Sequence, residues 1–150
     1  MSTKIINVFG YVANDNQFIV KAQDFNIRIN NNTANGNSET PNPLEYLLAG
    51  FAGSVNAIGQ IVAKELGIEL KSLQVEISGT LVDKNEKTKK GRAGFKSIEI
   101  VVKPSSDAPL ALLKEWIDTV KERCPVRDTL LNATPVLLTL IKEYAPPESI

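Results

Sequence analysis

The chain has 150 residues, enough for roughly one or two small domains, and its 17 Lys and Arg balance 17 Asp and Glu, so the net charge is zero at pH 7. That balance removes the global electrostatic pull expected of a nucleic-acid binder. The absence of histidine excludes Ser-His-Asp catalysis, Cys-His nucleophile pairs and His-rich zinc sites, and a single cysteine excludes an intrachain disulfide and CxxC chemistry.

The amino-terminal stretch MSTKIINVFGYV has no long apolar core followed by a small-residue cleavage site, so a reducing cytoplasm is the expected location. Lys4 to Val12, Gln17 to Ala22 and Phe25 to Ile29 read as three antiparallel strands, a meander, with Asn14-Asp15-Asn16 supplying turn chemistry. In the third, Phe25, Ile27 and Ile29 alternate with Asn26, Arg28 and Asn30. Asn30 to Asn42 is a polar loop, open to two readings: a plain surface connection or a functional lid.

The organising element runs from Pro41 to Gly67. Asn42 is a good N-cap, Pro43 suits the first helical position, and Glu45 falls where it closes a capping box. From Tyr46 to Ala63 there is no charge, and Leu47, Leu48, Phe51, Val55, Ile58, Ile61 and Val62 leave no face wholly polar. Such a helix is buried either in protein or in lipid, and its length is near the minimum that spans a bilayer. Gly50, Gly53, Ser54, Asn56, Gly59 and Gln60 inside the run, and the lack of a basic flank, favour protein. The expectation is a central helix covered on every side. Gly50, Gly53, Ser54 and Ala57 recur at helical spacing and allow another backbone to come close. A chain this short has too little sheet to cover the helix alone, which makes self-association a natural hypothesis.

Beyond Gly67, a helix C′ residue, Leu73, Val75, Ile77 and Leu81 alternate with polar residues, and Ile98, Ile100 and Val102 repeat the pattern. The two strands are joined by DKNEKTKKGRAG from Asp83 to Gly94, a Lys-rich loop that either stays solvated or faces phosphate. Pro104 stops the second strand, Ser106 or Asp107 caps another helix, and Leu113, Trp116, Ile117 and Val120 form its apolar face. That helix ends at Arg123-Cys124, because Pro125 disfavours helical geometry in the residue before it. Pro125 to Leu131 reads as a short helix and Thr134 to Tyr144 as a closing strand.

Cys124 is the one residue with both intrinsic nucleophilicity and an activating setting. As N-cap of the short helix its sulfur would face free backbone N–H groups, with Arg123 and Arg127 favouring the thiolate and Asp128 opposing it. The alternative is a small buried hydrophobe at a helix junction.

The pairing of PNPLEYLLAGFAGSVNAIG, Pro41 to Gly59, with CPVRDTLLNATPV, Cys124 to Val136, resembles the OsmC/Ohr family, named for osmotic induction and organic hydroperoxide resistance. The likeness extends over nearly the whole chain in element order. It implies a single OsmC-like domain over 1–150 (meander and loop 1–40, central helix 41–67, remainder 68–150), α+β in class. It further implies an intertwined homodimer with antiparallel sheets around the long buried helix. Family members typically carry two cysteines. One, in a helix context like L-A-A-L-A-G-C-T, attacks a hydroperoxide; the other, before Pro-Val, condenses with the sulfenic acid, and an external dithiol restores the pair. Here the attacking position falls on Ser54, and Cys124 matches the second cysteine. A serine hydroxyl has no appreciable anion at neutral pH and no histidine to activate it. Glu45 falls at or beside the family's acidic position, where a carboxylate would hold an arginine near the thiolate; Arg28 is the only arginine before the helix.

Besides a purely structural or interaction role through the Lys-rich loop, two functions are compatible with this pattern. One is a peroxiredoxin-like oxidoreductase of oxidative stress whose hydroperoxide activity is altered or lost at Ser54, using Cys124, Glu45 and Arg28 with an external thiol reductant. The other is a non-catalytic dimer that holds a small hydrophobic ligand at its interface or senses redox state. Neither calls for a cofactor, a metal, a nucleic acid or a membrane.

Overall fold

The structure, a computed structural model, describes residues 2–13, 15, 17–30, 40–82 and 92–142. The meander forms as β1 (Phe9–Val12), β2 (Phe18–Ala22) and β3 (Phe25–Ile29), antiparallel in that order. Register sets Tyr11 opposite Ile19 and Val20 opposite Ile27. The first strand is shorter than expected: Ile5, Ile6 and Val8 carry strand-forming side chains but have no neighbouring strand among the described residues, and they stand exposed.

Helix α1 (Pro43–Leu66) begins at the box the sequence specifies. Asn42 Oδ1 accepts from the Glu45 N–H at 2.8 Å, and Glu45 Oε1 accepts from the Asn42 N–H at 3.0 Å, so two otherwise orphaned donors are satisfied. It ends where Gly67 turns left-handed at φ 71°, a conformation that costs a residue with a Cβ.

Strands β4 (Ser72–Leu81) and β5 (Phe95–Ser105) pair antiparallel with Val75 opposite Val102 and Ile77 opposite Ile100, and a register shift at Thr80/Leu81. Their inward residues pack with α1 and with α2 (Leu110–Arg123), whose Trp116 is 1% exposed. The Trp116 indole N–H donates to the Gly59 carbonyl at 2.8 Å, which removes the penalty of burying it. Gly59 permits that approach, since a Cβ there would lie 3.1 Å from Trp116 Cζ2. The short helix α3 (Pro125–Leu131) begins immediately after Cys124. The α+β class with antiparallel sheets and one long helix is as expected.

Several expectations are corrected. Neither Ser106 nor Asp107 caps α2: Ser106 Oγ accepts from Ala108 N at 3.1 Å in the preceding turn, and Pro109, extended at φ −64° and ψ 152°, is the N-cap. Thr134 to Lys142 forms no strand, because no other described strand lies beside it; its Val136, Leu137 and Leu138 are exposed. Tyr144, most of the Asn30–Asn42 connection and most of the Lys-rich loop lie outside the described residues. Within one chain α1 is covered on one face only: Phe51, Val55, Gly59 and Val62 are buried, while Leu47, Gly50, Gly53, Ala57 and Ile61 face outward. By length and hydropathy α1 could cross a membrane, but β4, β5 and α2 occupy its buried face.

Candidate functional site

Cys124 sits at the α2–α3 junction, held out of helical geometry at ψ 110° by the proline after it. Its N–H still closes the last turn of α2 on Val120 O at 3.0 Å. The side chain is 1% exposed and belongs to the same apolar cluster as Phe51, Val55, Trp116 and Val120.

The sulfur does not cap α3. No side-chain hydrogen bond is made to that helix's amino end; instead Ser54 Oγ from the middle of α1 lies 3.2 Å from Cys124 Sγ. The packing of α1 against the α2–α3 corner sets this direction, with Phe51 and Val55 buried on either side of Ser54 in sequence. Residue 54 and the lone sulfur therefore meet within one chain. A hydroxyl and a thiol at this distance can exchange one hydrogen bond. Of the two, the sulfur is the oxidisable partner.

The other residues expected at the site are placed elsewhere. Glu45 spends its carboxylate on the capping box. The Arg28 guanidinium hydrogen-bonds the Gln17 side chain and pairs with Asp15 at 3.4 Å, while its carbonyl accepts from the Tyr46 hydroxyl at 2.7 Å. Among the described residues no hydrogen bond or ion pair joins Arg28 or Glu45 to Cys124. Arg123 also turns away, pairing with Glu65 through Nη1–Oε2 at 2.5 Å and Nη2–Oε1 at 3.2 Å. That hydrogen bond holds Glu65 below the usual carboxylate range and raises Arg123. Asp128 accepts from the Asn132 side chain at 3.2 Å.

Arg127 does line the cavities beside the thiol. An inner chamber of about 190 Å³ is walled by Phe51, Val55, Ile100, Ile117, Cys124 and Arg127. An outer chamber of about 530 Å³ shares Phe51, Ile100 and Arg127 with it and opens between α1, β5 and α3, past Leu47, Phe95 and Leu130. Arg92 and Lys96 stand on its wall. Sequence reasoning flagged Arg127 but missed Phe95, Lys96 and Ile100 as site residues. The alternation along β5 was the available signal, because it sets the inward side chains against the helices.

The profile of the OsmC-like protein family matches residues 36–139. Among solved structures, the chain is similar to an OsmC-like protein from Mycoplasma pneumoniae at 23% identity and TM-score 0.75, over 87% of this chain and 89% of that one. An OsmC-like hydroperoxide resistance protein from Jannaschia sp. is 26% identical with TM-score 0.52, over 86% of each chain. An organic hydroperoxide resistance protein from Legionella pneumophila is 13% identical with TM-score 0.61, over 87% of this chain and 91% of that one. No curated protein matches the chain.

Proposed function

The chain belongs to the OsmC-like protein family, and on that premise we propose that it serves in the response to oxidative stress, in the line of organic hydroperoxide detoxification, with the peroxidase step altered or lost. The neighbours named for hydroperoxide resistance support the general role. The contact of Ser54 Oγ with Cys124 Sγ at 3.2 Å carries the finer reading: the geometry of a reacting pair with a hydroxyl at the attacking position. We take residues 1–150 as one domain that works as a homodimer, supported by the outward apolar face of α1 and by exposed Val136 to Ile141. A free cysteine fits a cytoplasmic location, with an external thiol as reductant for any oxidised Cys124.

The test is Ser54→Cys with cumene hydroperoxide in single turnover. The new thiolate attacks the distal peroxide oxygen, the O–O bond breaks, and the alcohol leaves with a proton. Cys124 then attacks the sulfenic sulfur, forming the disulfide and releasing water. One disulfide per chain for one peroxide consumed is expected, with parental Cys124 oxidising no faster than free cysteine. A folded variant that forms no disulfide sinks the proposal; fast oxidation of the parent makes it a one-cysteine peroxidase instead.

A second reading, a non-catalytic dimer that holds a small hydrophobic ligand, is favoured by one observation. The chambers beside Cys124 are mostly apolar and together of the size that small molecules occupy.

A further inference from the structure

We propose that Glu65 and Arg123 form a positioning clamp: their ion pair, between the carboxyl-terminal ends of α1 and α2, sets where Cys124 Sγ stands against residue 54. The inference rests on the reading of residues 54 and 124 as a reacting pair, and adds to it two residues that line neither chamber.

Arg123 and Cys124 are consecutive, yet they reach α1 at two separate places. Cys124 Sγ lies 3.2 Å from Ser54 Oγ, whereas the Arg123 fork closes on both oxygens of Glu65, Nη1–Oε2 at 2.5 Å and Nη2–Oε1 at 3.2 Å. Ser54 and Glu65 are about three turns apart, roughly 16 Å at the rise of an α-helix. Between them the Trp116 indole N–H holds the Gly59 carbonyl at 2.8 Å. A contact at Gly59 alone leaves α2 a pivot, about which its last residues can swing along α1. The apolar contacts of Val120 and its neighbours are non-directional and oppose that swing weakly. Two parallel N–H···O bonds have a fixed direction and stop it.

Two features separate this pair from an ordinary surface pair. Among the described residues it is the ion pair that joins two helices and the one closed by two hydrogen bonds; Arg28 with Asp15, Lys71 with Asp107 and Lys103 with Glu76 do neither. Glu65 also stands in the last turn of α1, where the negative end of the helix dipole disfavours a carboxylate. Both side chains are roughly half exposed, so the pair adds little to stability. A charge at a local disadvantage, in a pair of small energy and fixed direction, acts through geometry. Across the break at Pro125 the corner is braced by Arg127, whose N–H donates to the Lys121 carbonyl at 3.0 Å.

The test measures proximity without peroxide. The full chain carrying Ser54→Cys is equilibrated with reduced glutathione and glutathione disulfide. Two protein thiols and one glutathione disulfide give the intrachain disulfide and two reduced glutathiones, and the equilibrium yields the effective concentration of one thiol at the other. Adding Glu65→Gln or Arg123→Gln should lower that concentration at least about tenfold, since a misplacement near 1 Å can cost about 100-fold in a positioned pair. The reversed pair, Glu65→Arg/Arg123→Glu, should restore most of it. All variants are compared far below their unfolding temperatures, where a purely stabilising pair leaves the ratio of disulfide to dithiol unmoved. An unchanged effective concentration with both Glu65→Gln and Arg123→Gln overturns the clamp and leaves the proposed function standing. A loss that the reversed pair does not restore also overturns it, because the two side chains then act separately. A folded Ser54→Cys chain that forms no intrachain disulfide overturns the reacting-pair reading and the clamp together.

Discussion

The helical half of this chain and its terminal segments treat their apolar residues in opposite ways. Around α1, α2 and the β4–β5 sheet, Phe51, Val55, Val62, Trp116, Val120 and Cys124 form one buried cluster. At the ends, Ile6 and Leu137 are 81% and 92% exposed, and the meander buries only Ile19 among its described residues. The first region buries one face of α1 in that cluster and leaves Leu47 and Ile61 outside; the second carries hydrophobic surface that the described residues leave almost wholly uncovered. Apolar strand-forming sequence at both ends, without a partner strand among the described residues, is what a second copy can use.

The largest effect is expected at Trp116. Trp116→Ala removes the largest fully buried side chain and leaves the Gly59 carbonyl without its indole partner, and should cost about 3–5 kcal/mol by chemical denaturation. A loss under about 1 kcal/mol would mean that the cluster is not where stability resides.

The terminal segments are tested by Leu137→Glu/Leu140→Glu. Both side chains are exposed within one chain, so a monomer gains nothing and loses nothing. If a second copy covers them, burying two carboxylates should raise the dimer dissociation constant at least about 100-fold, by ultracentrifugation, with helical content unchanged. An unaltered dimer, or a parent that is monomeric throughout, removes the segment from the interface.

Next comes the capping box. Asn42→Ala unpairs the Glu45 N–H and should cost about 1 kcal/mol in thermal or chemical unfolding. This is also the element most legible in sequence. Asn42, Pro43 and Glu45 specify the start of α1, and Gly67 its end, because caps are local chemistry read within a few residues. The α2–α3 break at Cys124 is equally local, set by Pro125. Long-range partners were not legible. Val136 to Ile141 reads as a strand by composition, yet a strand exists only where another edge is offered. Cys124 was open to two readings, N-cap of α3 or small buried hydrophobe; it is the second, and its sulfur meets Ser54, the position the family resemblance pairs with it and local spacing does not. Arg28 pairs with Asp15 because the β1–β2 turn brings that carboxylate to it, and Arg123 with Glu65 because two helix ends converge, neither being readable from spacing alone.

The smallest effect expected is at that helix-end pair, which holds the last turn of α2 against α1 directly before Cys124. The hydrogen bond from Arg123 lowers the Glu65 pKa in the folded chain relative to the unfolded one, so in the acid range the unfolded chain binds more protons. Its stabilisation is therefore fully present at neutral pH and is lost as pH falls through the titration of the folded carboxylate. Both side chains are roughly half exposed, so solvent and salt screen the pair. Glu65→Gln should narrow the drop in Tm between neutral and acid pH relative to the parent, and the difference should shrink at high salt. Identical pH profiles for variant and parent would show that the helix ends are held by Val120, Trp116 and their apolar neighbours, and that this pair adds nothing to them.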